Sequence, residues 1–453
     1  MKIVFAILFI LFLYENAFAV IEPKWGNFKN MTMDEIQDIT FVAPNAKMLK
    51  TDVHMNTLVG KVMCGYQGWF TAVGDGTEIP WRHYAWKDGF KPGSVSVDFW
   101  PDVSEYEDLY DTPFTYPDGS VAKTFSSADL STVRLHFKWM KEYGIDGAFV
   151  QRFVCGLTEP FKPEYWNLSI VLHNARIGAR ENGRAIAISY DFAQADSSVE
   201  NVGDLVINDW ITLNEKAKLA KDPAYLKHQG KPVVQMWVAG TNDAGHQKYS
   251  LDDFERIVDF FKNDPKYGNC YVICGVPTGW HDGVGDSYGK DHAKYKQMMR
   301  IIKKCDAMTT WGPGRYNSPE DFEEKIKMYY SKDIKWCNEN NKLYFPAVFP
   351  GFSWHNMIPE SPLNAIPRAK GDFLWSQFVG YYKQGVKAIF VAMFDEIDEG
   401  TAVFKCTNNP PNGNGSEFAA YEGLPSDYYL KLVGEGKKLI NGELKSLEKP
   451  DLK

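Results

Sequence analysis

Between residues 61 and 394 the sequence repeats one rhythm: a short run of apolar, β-favouring residues, then a longer stretch with helical spacing. The runs cover 61–65, 146–150, 185–191, 232–237, 271–276, 307–311, 344–349 and 388–394. Most are continuously apolar rather than alternating, as strands covered on both faces must be. Helical stretches lie at 130–143, 168–182, 250–263, 292–304, 319–340 and 372–384; in the first, Leu130, Val133, Phe137 and Met140 stand three or four residues apart and share one face. Strands that alternate with helices pair in parallel. Eight such units over this length fit a closed (β/α)8 barrel of TIM type, an α/β fold, better than an open sheet. A further apolar run, 94–99, falls in the long connection from Gln67 to Ser126 and reads as an excursion of an active-site loop. No break rich in Gly, Ser or Pro divides the repeat, so 58–445 is expected to be one domain with long βα loops. Residues 20–57 read as an arm outside it, and 408–416 as a surface loop.

The ends and the composition narrow the setting. Lys2, an apolar run over 3–13 and the small residues of Ala17-Phe18-Ala19 form the three parts of a secretory signal peptide. The apolar run is shorter than the roughly 20 residues a membrane span needs. Cleavage after Ala19 is therefore expected, leaving a secreted or periplasmic protein with no membrane attachment. A net charge of −8 and the lack of any Lys/Arg-rich block argue against nucleic acid as a partner. The seven cysteines are too few and too scattered for a disulfide scaffold, and Cys270 and Cys274 read as small buried hydrophobes. Gly283-Val284-Gly285 lacks the helix start a nucleotide loop needs, and no His-x-x-x-His or Asp-x-Asp-x-Asp-Gly spacing occurs, so neither cofactor nor metal is expected. Aromatic residues make up 15% of the chain, with 14 Trp and 24 Tyr, which suits a protein that holds sugar rings by their apolar faces.

In a barrel of this kind chemistry stands at the C-terminal ends of the strands. Tyr66, Gln67 and Trp69 follow the first run, Gln151 and Arg152 the second; Tyr190 and Asp191 end the third, Gln235 and Trp237 the fourth, Trp311 the sixth. Trp354 and His355 follow the seventh run, and His281 the fifth. The eighth delivers Asp395-Glu396-Ile397-Asp398-Glu399, four carboxylates in five residues. In a concave site these cannot all ionise cheaply, and at least one pKa must rise. A carboxyl that keeps its proton can act as general acid beside an ionised neighbour acting as base. Three other readings stand beside this one: a solvated acidic turn, a Ca2+ or Mg2+ site built from the same carboxylates, and a barrel that binds carbohydrate without cleaving it. The acidic stretch 98–111 reads as a solvated loop.

Phe394-Asp395-Glu396-Ile397-Asp398-Glu399-Gly400-Thr401 resembles the Phe-Asn-Glu-Trp-x-Glu-Gly-Thr signature of the glycoside hydrolase family 99 endo-α-mannosidases and the related family 71. Gly65-Tyr66-Gln67-Gly68-Trp69-Phe70 is similar to their opening Gly-Tyr-Tyr-x-Trp-Tyr segment, and Gly144-Ile145-Asp146-Gly147-Ala148-Phe149 to their second-strand Gly-Ile-Asp-Gly-Phe motif. The three landmarks occur in the expected order. The resemblance implies a (β/α)8 barrel that cleaves α-linked, mannan-like oligosaccharide or polysaccharide with net retention. It also implies that Glu396 is the base on the sugar 2-hydroxyl and that Glu399 protonates the departing oxygen, through a 1,2-anhydro sugar rather than a glycosyl-enzyme. Ile397 stands where the family has Trp, Asp395 where Asn is common, and Gln67-Gly68 interrupts the aromatic opening. All three departures are expected to lie near the sugar, and Ile397 to alter sugar choice.

Overall fold

In the computed structural model, which describes residues 28–85, 89–193, 201–240 and 249–452, the eight runs form eight parallel strands in chain order. They are β1 (Val62–Tyr66), β2 (Gly147–Phe153), β3 (Ala185–Asp191), β4 (Lys231–Trp237), β5 (Tyr271–Val276), β6 (Ala307–Thr310), a divided β7 (Leu343–Tyr344 and Ala347–Val348) and β8 (Ile389–Val391). β1 pairs with β2 on one side and with β8 on the other. The division of β7 is where the barrel closes. Its first half pairs with β6 and its second with β8. Between them the N–H of Phe345 donates to Met308 O at 2.8 Å, and that of Phe390 to Pro346 O at 3.0 Å. Proline has no N–H to continue a ladder, so at Pro346 the strand changes partner.

The helices fall where the spacing put them, with three differences. α1 (Met33–Thr40) lies in the arm, started by Thr32 in a capping box with Glu35. It packs outside the barrel on α3 (Lys162–Asn182), where Phe41 meets Tyr165 and His173 Nδ1 lies 3.0 Å from Thr40 O. α2 (Leu130–Glu142), which lies between them in the chain, packs on α3 as well. α3 begins six residues before the periodic stretch, with Pro163 in its first turn, where a preset φ favours helix. α4 (Val202–Glu215) was not anticipated, although its buried Val202, Val206, Trp210 and Leu213 keep helical spacing. α5 (Leu251–Asn263) and α6 (Ala293–Lys304) follow, then α7 (Pro319–Lys325), which runs through a π-turn at Ile326–Tyr330 into α8 (Ser331–Glu339). α9 (Asp372–Lys383) packs against the last helix, α10 (Tyr428–Ile440), also unanticipated.

The long first connection contains the 94–99 run, a loop packed against the segments that follow the seventh and eighth strands, and then a hairpin, Tyr110–Thr115 with Val121–Thr124. There Asp98 and Phe99 donate backbone N–H bonds to Ile397 O. All seven cysteines are buried free thiols. Among the described residues no helix is long and apolar enough to cross a membrane. The expected cleavage site after Ala19 lies outside the described residues.

Candidate active site

β8 hands the chain into a tight turn over 394–401 that is held by bonds from the neighbouring segments. Thr401 and Ala402 both donate to Glu396 O at 3.1 Å, and Ser353 donates to Glu399 O at 2.9 Å. The Arg368 guanidinium reaches Gly400 O at 2.9 Å and Ala402 O at 2.7 Å, and is itself held among the rings of Phe99, Tyr421 and Tyr429. Gly400 has φ +66°, and a Cβ there would lie 2.7 Å from Ser353 N, so only glycine fits beneath that segment. Asp395, Glu396 and Asp398 are buried, while Glu399 keeps part of its surface open. A solvated surface turn is therefore excluded.

The four carboxylates do different work. Asp395 accepts the backbone N–H of Gln67 on Oδ1 and that of Gly68 on Oδ2, each at 2.8 Å. It pins the loop after β1. Burial lifts its pKa to about 6 against the pull of those two donors. Glu396 accepts from the Gln67 side-chain Nε2 at 2.5 Å on one oxygen and from the Thr401 hydroxyl on the other. Burial and then the charge of Asp398 push it upward, and both hydrogen bonds pull it down. Asp398 meets His83 Nδ1 at 3.0 Å, and the His83 ring lies flat on Trp69, 3.8 Å between centroids and 3° from parallel. Burial raises Asp398, with Glu399 adding to it; burial lowers His83, with Arg82 adding to it. The pair is thus driven toward its neutral form. Glu399 is raised by burial, then by Glu396 and Asp191, with the Trp354 indole opposing. Carboxylates aimed at four different partners do not converge on a cation. Among the described residues no group of three or more His, Cys, Asp or Glu is arranged to hold a metal ion.

The turn forms one wall of a cavity of about 540 Å³ at the barrel mouth. Trp69, Gln151, Asp191, Trp237, Trp311, Trp354, Glu396 and Glu399 all line it, as the strand-end argument expects. The other candidates do not, and strand alternation explains several of them. Arg152 and Tyr190 point out of the barrel, where Arg152 Nε (2.8 Å) and the Tyr190 hydroxyl (2.7 Å) both bind Asp209 of α4. Their neighbours Gln151 and Asp191 face in, because successive strand residues take opposite faces. Tyr66 likewise turns outward, to His136 Nδ1 at 2.8 Å. Gln235 is buried two residues below Trp237, with Nε2 3.5 Å from the Thr309 hydroxyl. Asp395 is spent on backbone, and Ile397 is fully buried, away from the cavity lining. The expectation that Ile397 sets sugar choice is therefore corrected. His355 turns to Ser361 O at 2.8 Å, and the side chain of His281 lies beside Asp282, away from the lining.

Asp98 also departs from expectation. It is buried, not solvated, and accepts from the Ser353 hydroxyl and from the N–H groups of His355 (2.7 Å) and Asn356 (2.8 Å). The rest of that stretch is mixed: Phe99, Trp100, Pro101 and Tyr106 are buried, while Glu105, Glu107, Asp108 and Asp111 are exposed. Gln67, expected near the sugar, also lines the cavity, as does Phe352 beside Trp354; His83, Phe153, Asp286, Arg315 and Met357 line it without having been named as contacts. Phe153 could have been found from Gln151 by strand alternation; the loop residues carry no local signal. Residues 285–289 have Gly-x-Ser-x-Gly spacing, but Ser287 is buried with its hydroxyl against Tyr288 O and Met298 Sδ, and no helix starts before Ala293. They do not form the strand-to-helix elbow of a serine nucleophile.

The fold is similar to that of the glycoside hydrolase family 99 endo-α-mannosidase from Bacteroides thetaiotaomicron, with a TM-score of 0.58 and 14% identity over 86% of this chain and 100% of that one. A second structure of that enzyme, in complex with bis-tris-propane, gives a TM-score of 0.56 and 14% identity over 85% and 99%. A glycoside hydrolase-like protein gives 0.50 and 15% over 88% and 98%. At such identities the likeness establishes the barrel. No family model matches the chain, and no curated protein is similar to it in sequence.

Proposed function

We propose that this chain is a retaining glycoside hydrolase of α-linked, mannan-like glycans, a divergent relative of family 99, with Glu399 as acid and Glu396 as base. The observation that carries this reading is the unequal hydrogen bonding of the two carboxyls. Glu396 receives a neutral donor on each oxygen, which favours its ionised form. Glu399 faces the like charges of Glu396 and Asp191, which favours its protonated form. A proton shared between them rests on Glu399. The Glu396 carboxylate can then take the proton of the sugar 2-hydroxyl as O2 closes on C1, while Glu399 gives its proton to the departing glycosidic oxygen. Water opens the resulting 1,2-anhydro ring at C1. Glu399 takes the water proton, Glu396 returns its own to O2, and two inversions leave the anomeric configuration unchanged. The barrel shared with an endo-α-mannosidase supports the reading, as does the turn's resemblance to that family's signature.

Amide substitutions test it, because the two should fail differently. Glu399→Gln removes the proton donor and should be worst on poor leaving groups, with activated aryl glycosides partly spared. Glu396→Gln removes the base, and no leaving group should rescue it. General acid–base assistance is worth about 10²- to 10⁴-fold, enough to separate the patterns. Rapid cleavage of a 2-deoxy substrate by the unmodified enzyme would rule out the anhydro route. Full activity in both amide variants would leave a barrel that binds sugar without this chemistry.

A further inference from the structure

The cavity crosses the whole barrel mouth, and the side facing the acidic turn is furnished as well. β4 stands four strands round the circle from β8, so Trp237 at its end is opposite Glu396 and Glu399. The Trp237 and Trp311 rings lie 4.9 Å apart at 37°, forming a shallow wall, and each is partly exposed to the cavity. Beside them Arg315, from the loop after β6, is ion-paired through Nε with Asp286, from the loop after β5; their side chains are 33% and 30% exposed. A pyranose presents an apolar C–H face and a rim of hydroxyls. Two indoles match the first. A guanidinium fixed by a carboxylate offers donors and an acceptor in one rigid frame, which matches the second.

We propose that Trp237, Trp311, Asp286 and Arg315 form a second sugar subsite, which holds an uncharged ring at least one unit away from the ring being cleaved. Cleavage of a neighbouring ring rests on the glycosidase reading; the binding site itself does not. The ring is uncharged because Asp286 already matches the charge of Arg315. The other acidic groups lining the cavity among the described residues are Asp191, Glu396, Asp398 and Glu399, with Glu396 the ionised member of the catalytic pair and no second cation to balance it, so an anionic sugar meets repulsion. A single sugar leaves one end of the cavity unused, and a longer glycan engages both.

The test is calorimetric binding to Glu399→Gln protein of mannose, α-mannotriose, maltotriose and trigalacturonate. At least one neutral trisaccharide should bind about tenfold or more tightly than mannose, the worth of one covered ring face. Trp311→Ala in the same background should remove most of that gain, so that the loss grows with glycan length. Trigalacturonate should bind more weakly than the better neutral trisaccharide. Trp237→Phe and Arg315→Lys, which keep a ring and a charge, serve if Trp311→Ala lowers the unfolding temperature; each should lose affinity for the trisaccharide more than for mannose. No gain from mannose to any trisaccharide, a loss independent of length, or tightest binding of trigalacturonate would overturn the subsite. Length-dependent binding with no hydrolysis of any glycan by the unmodified protein would fell the glycosidase reading instead and leave the subsite standing.

Discussion

Gln67 joins the two ends of the site through two of its own groups and a third from Gly68. Its backbone N–H and that of Gly68 hold Asp395, and its side-chain amide holds Glu396. Because a hydrogen bond to a carboxylate favours the ionised form, Gln67→Leu should raise the pKa of Glu396. Activity that needs ionised Glu396 would then begin at higher pH, and the acidic limb of the kcat/KM profile should move upward. Thr401→Val, which removes the donor to the other oxygen, should move the same limb the same way. An unmoved limb in both would mean that neither donor tunes the base. Ile397 shows the opposite lesson. It stands where a family aromatic would be expected to meet sugar, but it is wholly enclosed beneath the 94–99 segment, whose Asp98 and Phe99 donate to its carbonyl. Ile397→Trp therefore should overpack the turn and cost about 1–3 kcal/mol, read by denaturant unfolding. A retuned glycan profile at unchanged stability would show that the side chain reaches the cleft.

At the scale of elements, the site depends on loops that lock one another. The 94–99 run packs against the loops after β7 and β8, and its Asp98 gathers the Ser353 hydroxyl and the N–H groups of His355 and Asn356. The Ser353 N–H in turn holds Glu399 O. Removing the acceptor with Asp98→Ala should leave those donors buried and unpaired, at about 1–3 kcal/mol for each group that water cannot reach. The 353–356 amides should then exchange hydrogen faster, and activity should fall although no catalytic group was touched. Unchanged exchange would mean that the segment is held by its other contacts. The strand pattern was legible because burial on both faces writes itself into adjacent residues. α4 shows only in the spacing of Val202, Val206, Trp210 and Leu213, and Pro346, inside the seventh apolar run, is where β7 changes partner, which only the neighbouring strands decide.

For the molecule as a whole, placing four carboxyls in one buried turn ties stability to pH. Asp395 is raised to about 6, and Glu396, Asp398 and Glu399 are raised as well, all chiefly by burial. Above the ordinary carboxyl range the unfolded chain has released these protons while the folded one still holds them, so their contribution falls as pH rises through the folded values. Buried histidines pull the other way in the acid range, His136 being lowered to about 3 and His173 to about 4. The comparison is therefore best made between variants. Glu399→Gln cannot ionise, so its stability relative to the parent should increase as pH rises above the ordinary carboxyl range. A constant difference in unfolding midpoint would mean that Glu399 titrates as it does in the unfolded chain.

The sequence alone determined the architecture, since eight apolar runs alternating with helical spacing admit few other folds, and it located the acidic turn at the end of the eighth strand. It also picked out six of the aromatic and polar residues that line the cavity, because a strand's end and its alternating faces are local properties. Only the tertiary structure decided what each carboxylate does. Gln67 and Glu396 are 329 residues apart in the chain, and His83 and Asp398 are 315 apart. No local pattern records such meetings. They arise when the barrel closes and brings loops from opposite ends of the sequence over one mouth, where burial and the choice of hydrogen-bond partner set which carboxyl keeps its proton.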